Sequence, residues 1–226
     1  MMSLISKKFD GSPEYARVVP LVVFAGLTAL AGRGGTGSYY WVYLLKTVVG
    51  AWMIFEMRPC LEEMRWKVSW EAVAVGAAVF ALWVGLDGHY PRLTRLQAGA
   101  GWNPHGQFGE GSAMAWLCIV TRMAGSTLVV PPIEEVFYRS FLYRYLANSR
   151  FQGVPFNQFH VVPFAATAVT FGLGHPDRWV AGILCGLAYQ GLVLRKNRLG
   201  DAMTAHAVTN SLLGIWIVRN GAWHFW

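Results

Sequence analysis

Long apolar runs follow one another along almost the whole chain, and this pattern constrains the fold more than any other feature of the sequence. Most connections between the runs are short, and only the stretch 87–111, rich in Gly and containing two prolines, is a longer polar one. Residues within the runs show no period-two alternation, so a closed β-barrel is disfavoured. The eight runs cover residues 15–31, 39–57, 70–86, 113–130, 133–146, 161–173, 179–194 and 202–218.

The composition favours a membrane protein over a soluble one. Only 14% of the 226 residues are charged, against about 25% in an average soluble chain, and the mean hydropathy is +0.35. Several runs are shorter than the roughly 20 residues that a straight spanning helix needs. The sequence therefore predicts an all-α, polytopic membrane helix bundle of about eight helices, some broken or partial. We expect one integral membrane domain over residues 1–226, with its polar motifs in 113–218.

The net charge of +7 does not indicate nucleic acid binding here, because the basic residues cluster between the apolar runs. Such clusters are typical of loops that flank membrane helices on the cytoplasmic side. With a cytoplasmic N-terminus, loop 58–67 lies inside after two crossings, whereas loop 195–198 lies inside only if one later run does not cross. We predict a multi-pass protein of the bacterial inner (plasma) membrane, with the lipid bilayer as a partner and no nucleic acid.

Two adjacent prolines, Pro131 and Pro132, precede the first polar motif, which reads EEVFYR at 134–139. Neither proline donates a backbone hydrogen bond, so we predict a helix break there. Within the motif, Glu135 and Arg139 are four residues apart and can form an ion pair. Glu134 points about 100° away on a helix and is left free, which suits a general base. The alternative is a charge cluster at a helix start, where acidic residues favour the helix dipole.

Two further motifs place polar side chains inside apolar runs. His175 ends the sequence FGLGH, while His206 and Asn210 share one face of a helix because they are four apart. Glu134 and His175 could polarise a water for attack on an amide carbonyl, with His206 and Asn210 donating hydrogen bonds to the oxyanion. Alternatively, Glu134, His175 and His206 could bind a zinc ion. A structural reading remains, in which these side chains only bond helices together.

The three motifs EExxxR, FxxxH and HxxxN, in this order, resemble those of the CPBP family, which includes the CaaX protease Rce1 and the Abi-type membrane proteases. Within it, the chain also resembles a bacterial CaaX-protease-related subgroup associated with exosortase systems. The resemblance implies an eight-helix membrane fold with a cavity open to the cytoplasm. It also implies endoproteolysis of a membrane-associated protein or peptide, with Glu134 and His175 activating water. His206 and Asn210 would form the oxyanion hole, supported by Glu135 and Arg139.

Three functions therefore stay open at the level of sequence. The first is an intramembrane endopeptidase, for which we predict a mechanism without a metal, zinc being the alternative. The second is a non-enzymatic membrane scaffold or a bacteriocin-immunity type of protein. The third is a small transporter that uses Glu134 and the histidines as a proton relay, although no internal repeat of the kind common in transporters is visible. Two more intramembrane cations, Lys46 and Arg122, each stand alone in an apolar run and are more readily explained by snorkelling or pairing.

Overall fold

The computed structural model describes residues 3–31, 33–35, 37–93 and 102–226. Within these residues the predicted all-α bundle is confirmed, with nine helices and no strand. Two of the nine, α1 (Leu4–Asp10) and α5 (Pro104–Phe108), are short, and α5 lies in the predicted polar loop, of which residues 94–101 are outside the described part. The helices are α1 (Leu4–Asp10), α2 (Pro13–Thr28), α3 (Ser38–Met57), α4 (Trp70–Gly85), α5 (Pro104–Phe108), α6 (Ala113–Ala147), α7 (Val161–Leu173), α8 (Trp179–Lys196) and α9 (Gly200–Asn220).

Helix α6 joins two of the apolar runs, so the predicted break at Pro131 and Pro132 is wrong. The helix continues for 35 residues and takes up the prolines by widening into π-helical turns at Gly125–Val129 and Val136–Leu142. A π-turn inserts a residue into the hydrogen-bond ladder, which lets a helix pass a proline without ending. The seven longer helices, α2, α3, α4, α6, α7, α8 and α9, then run in alternating directions.

Close packing between helices depends on glycines. A Cβ atom on Gly186 of α8 would lie 2.8 Å from the Cα atom of Ala168 on α7. A Cβ atom on Gly76 of α4 would lie 2.5 Å from the carbonyl oxygen of Ala205 on α9. Small residues allow helix backbones to approach closely in membrane bundles, and these two contacts hold α7 against α8 and α4 against α9. The core between them includes the buried residues Met57, Val136, Tyr189, Val193 and Met203.

The bundle has two ends, each defined by contacts between distant parts of the chain. At one end, which we call the N-end, the Ser69 hydroxyl donates to Asp201 at 2.5 Å and Lys196 pairs with Glu71 at 2.5 Å. At the other, the C-end, Asp87 pairs with both Arg178, at 3.3 Å, and His224, at 3.0 Å. The N-end holds α1 and the connections 58–69, 148–160 and 197–199. The C-end holds the described parts of the connections 29–37 and 86–112, the connection 174–178 and residues 221–226.

The outer surface of the bundle is apolar. By length and hydropathy, α6 is the one helix among the described residues that could cross a bilayer, while α4 and α7 are apolar but shorter. Large apolar side chains are nevertheless exposed on the outer faces of other helices, as at Val48, Phe55 and Val162, which are 59%, 72% and 71% exposed. A surface of this kind in a monomeric chain marks contact with a lipid or protein environment.

Candidate active site

The polar groups of α6 and α9 meet where the prolines disturb the helix. Val130 donates its backbone N–H to the Gly125 carbonyl, five residues back. The Ser126 carbonyl would next require the N–H of residue 131, which is a proline and has none. The side chain of Asn210 fills this gap, since its Nδ2 donates to the Ser126 carbonyl at 2.7 Å. Asn210 is thereby fixed in orientation, and its second N–H remains available as a donor.

Glu135 is the centre of a buried charge cluster between α6 and α9. Its carboxylate is 0% exposed, with Oε2 lying 3.2 Å from Nε of Arg139. Oε1 lies 2.9 Å from Nδ1 of His206. The predicted pair of Glu135 with Arg139 is confirmed, and Glu135 also contacts a residue of the third motif. Because an ionised carboxylate only accepts, Nδ1 of His206 carries a proton.

The guanidinium of Arg139 is enclosed by aromatic rings. Its Cζ lies 4.5 Å from the ring centroid of Phe171 and 5.4 and 5.7 Å from those of Tyr138 and Tyr189. None of its three nitrogens makes a hydrogen bond to the described residues. Ring faces are negative and attract a desolvated cation. Phe171 of the FxxxH motif therefore has a visible function, as a wall of the Arg139 site.

His175 follows the end of α7 and is held by its own helix. Its Nδ1 lies 2.9 Å from the Phe171 carbonyl oxygen. A carbonyl can only accept, so Nδ1 is the protonated nitrogen and Nε2 of the neutral ring carries a lone pair. The ring packs edge-on against Trp83 of α4, with centroids 5.3 Å apart. His175 thus presents an acceptor of fixed orientation at the C-end of the bundle.

Three of the four predicted catalytic residues line one cavity. His175, His206 and Asn210 surround a space of about 80 Å³, enough for several water molecules. A second cavity of about 240 Å³ is also lined by His175 and Asn210 and reaches Arg178 and Trp226 at the C-end. The histidines of separate motifs meet here because α7 and α9 both run from the N-end to the C-end, while α8 returns between them. Thus 175 and 206 approach each other although almost a full helix separates them in sequence.

Glu134 is placed differently and does not line either of these cavities. It is half-buried, and its Oε2 is buried without a hydrogen-bond partner among the described residues. Val130, one turn earlier on α6, does line the smaller cavity. Both glutamates lie in the interior of α6, so the alternative of a charge cluster at a helix start is wrong.

Some residues of the site carry no recognisable motif. Arg122, which the sequence presents as a lone cation, lines the larger cavity and lies 4.4 Å above the ring of Trp102. Lys46 lies 4.6 Å from the ring centroids of Phe24 and Tyr43. The one available signal was the cost of a cation in an apolar run. Nothing in the sequence indicates the role of Ser126, because this role depends on its backbone carbonyl, which Pro131 leaves without a donor.

The same polar side chains are the candidate ligands for a metal ion. Among the described residues, no group of three or more His, Cys, Asp or Glu side chains is arranged to hold one. Nδ1 of His175 is held by the Phe171 carbonyl, and Nδ1 of His206 by the Glu135 carboxylate. Hydrogen bonds of this kind orient histidines that bind a metal through the other ring nitrogen. The Nε2 atoms of His175 and His206 can therefore bind one shared ligand. The third candidate donor, Glu134, does not line the same cavity.

Comparison with known proteins identifies this region. Residues 114–212 match the family model described as "Type II CAAX prenyl endopeptidase Rce1-like". Over this segment, 99 of the 226 residues, the chain is similar to the Rce1-like family. The matched segment contains all three motifs, from EExxxR on α6 to HxxxN on α9. Searches of curated proteins and of solved structures gave no match.

The Rce1-like family consists of membrane-embedded proteases. The chain is therefore an enzyme of the protease class, which implies a protein or peptide substrate. The predicted family is confirmed, as is the assignment to CaaX-type proteases.

Proposed function

We propose that the protein is an intramembrane endopeptidase that hydrolyses a peptide bond of a membrane-associated substrate by means of an activated water. The observation that carries the proposal is the cavity shared by His175, His206 and Asn210, within the segment that matches the protease family. Both oxygens of Glu135 face Arg139 or His206, whereas Oε2 of Glu134 has no hydrogen-bond partner in the part of the chain that the structure describes. We place the protein in the bacterial inner membrane as a multi-pass protein.

The mechanism assigns each polar group one task. Glu134, one turn after the cavity-lining Val130, turns toward the cavity and removes a proton from the water, while the lone pair on Nε2 of His175 accepts a hydrogen bond from the other O–H and orients the water. The hydroxide attacks the amide carbonyl, and the oxyanion accepts hydrogen bonds from Nε2 of His206 and Nδ2 of Asn210. The protonated Glu134 then gives its proton to the leaving amine.

His206 can donate to the oxyanion only in one protonation state. Its Nδ1 already donates to Glu135, so Nε2 carries a second proton only when the ring is an imidazolium. The buried Glu135 carboxylate stabilises that cation, and it is itself stabilised by Arg139. Glu135 and Arg139 therefore act through His206 as positioning residues.

The test is cleavage of lipid-anchored peptides by the purified protein in liposomes. Glu134→Ala removes the base and should abolish cleavage without unfolding the protein. Asn210→Ala removes one oxyanion donor and should lower the rate by about 10²–10³ while leaving a trace. The control is Glu110→Ala, which removes an exposed carboxylate and should leave the rate unchanged. Full activity of Glu134→Ala would refute the assigned mechanism.

The same assay tests whether a metal ion takes part in the reaction. In the proposed mechanism a strong chelator has no effect, because protein groups alone activate the water. If zinc bound by the two histidines held the water, chelation would remove activity and added zinc would restore it. That result would overturn the metal-free mechanism and leave the protease function in place.

A non-enzymatic scaffold is the second candidate, favoured by the fact that Asn210 and His206 each form an interhelical hydrogen bond. Such bonds hold helices together without any catalysis. In that case no peptide is cleaved, and Glu134→Ala leaves both folding and function unchanged.

A further inference from the structure

The basic residues are distributed unequally between the two ends of the bundle. Among the described residues, the N-end has ten Lys and Arg residues in its loops and helix-terminal turns, and the C-end has four. The N-end set is Lys7, Lys8, Arg58, Arg65, Lys67, Arg144, Arg150, Arg195, Lys196 and Arg198, and the C-end set is Arg33, Arg92, Arg178 and Arg219.

Because α6 is one continuous helix, the basic loops 58–67 and 195–198 lie at the same end of the bundle. Two separate crossings at 113–130 and 133–146 would put loop 195–198 on the opposite side from loop 58–67. With one helix over Ala113–Ala147, both basic loops lie at the N-end, where Lys67 and Gly200 are joined by a backbone hydrogen bond of 3.4 Å. Cytoplasmic loops carry the excess of Lys and Arg in membrane proteins. The charge distribution therefore places the N-end in the cytoplasm.

The candidate active site lies toward the opposite end. The 240 Å³ cavity is lined by Pro176 and Arg178 after α7 and by Phe225 and Trp226 at the end of the chain. Deeper in, its walls come from the C-end halves of the helices, including Trp83 of α4 and Arg122 of α6. A peptide that enters this cavity from water must come from the side on which these residues lie.

We propose that the active site opens to the non-cytoplasmic side of the membrane. Its substrate is then a membrane-associated polypeptide whose scissile segment has been translocated across the bilayer. This inference rests on the proposed proteolytic function and specifies the side from which the substrate comes. It reverses the cytoplasmic opening that the family resemblance implies.

Orientation is tested by cysteine labelling, which does not depend on proteolysis. The variants are Asn220→Cys at the C-end and Ser149→Cys at the N-end, both at exposed positions. Labelling of spheroplasts by a membrane-impermeant maleimide is measured above that of the parent, which has Cys60, Cys118 and Cys185. We expect Asn220→Cys to react in intact spheroplasts and Ser149→Cys only after permeabilisation. The opposite result would overturn the proposal.

A second measurement asks from which side of the membrane the substrate is cleaved, and separately whether it is cleaved at all. A lipid-anchored peptide is added to right-side-out and inside-out membrane vesicles, with the Glu134→Ala protein as the blank. Cleavage in right-side-out vesicles only is the expected result, and cleavage in inside-out vesicles only would refute the non-cytoplasmic opening while supporting the protease. Absence of cleavage in both, with the expected labelling, would refute the proteolytic function but leave the orientation standing.

Discussion

At the scale of single residues, the site depends on how two buried charges are compensated. Glu135 and Arg139 are both 0% exposed and form an ion pair, and His206 supplies a third partner. A charge moved from water into a low-dielectric interior loses several kcal/mol of solvation, which the partner's attraction offsets only when both are present. This explains why the EExxxR motif needs two glutamates: one neutralises the arginine and orients His206, and the other stays free.

Replacement of Arg139 by Leu should destabilise the protein, because it leaves the Glu135 carboxylate buried without its cation. We expect a loss of about 3–5 kcal/mol, seen as a lower folded yield and a lower Tm in detergent. The double variant Glu135→Gln with Arg139→Leu should recover most of the yield, since no buried charge then remains unpaired. Normal expression and stability of Arg139→Leu alone would contradict the structural role of the ion pair.

At the scale of helices, the geometry of the site depends on a π-turn and on close contacts at glycines. The π-turn Gly125–Val129 lets α6 pass Pro131 and leaves a carbonyl that Asn210 binds. Close packing of α7 against α8 at Gly186 fixes the position of His175 at the end of α7. π-turns often occur at functional sites in this way.

The packing of α7 on α8 can be tested with two alanine substitutions in the same helix. Gly186→Ala places a methyl group 2.8 Å from the backbone of Ala168, whereas Gly191→Ala meets no atom within 4 Å. Overpacking of this kind costs about 1–3 kcal/mol, so Gly186→Ala should lower both Tm and activity. Gly191→Ala should be neutral or stabilise by up to about 1 kcal/mol, because alanine favours helix. Equal behaviour of the two variants would contradict the backbone contact.

At the scale of the whole molecule, the N-end is tied together by ion pairs outside the apolar core. Glu63, in the connection after α3, pairs with Arg17 of α2 at 2.5 Å and accepts a hydrogen bond from Ser140 of α6 at 2.7 Å. Burial of Glu63 by itself would raise its pKa, but the Arg17 guanidinium and the Ser140 hydroxyl outweigh this and hold the pKa below its ordinary value.

This lowered pKa predicts a stability that depends on pH. A carboxylate whose folded pKa is depressed contributes its stability above the unfolded pKa of about 4.3. The contribution is lost as the pH falls through the folded value. The Tm should therefore decline below about pH 4.3 more steeply in the parent than in Glu63→Gln, measured by thermal unfolding between about pH 3 and 6. Parallel curves for the two proteins would show that Glu63 makes no such contribution.

The sequence by itself determined the helical class, the pairing of Glu135 with Arg139 and the identity of the polar residues, because these follow from local spacing and from the cost of polar groups in apolar runs. The tertiary structure decided the rest. Whether the prolines break α6 depends on π-turns and on a donor from α9, and whether Glu135 contacts His206 depends on a helix 71 residues away. These contacts join residues far apart in the chain, so no local pattern encodes them, and the same contacts set which end of the bundle holds the cavity.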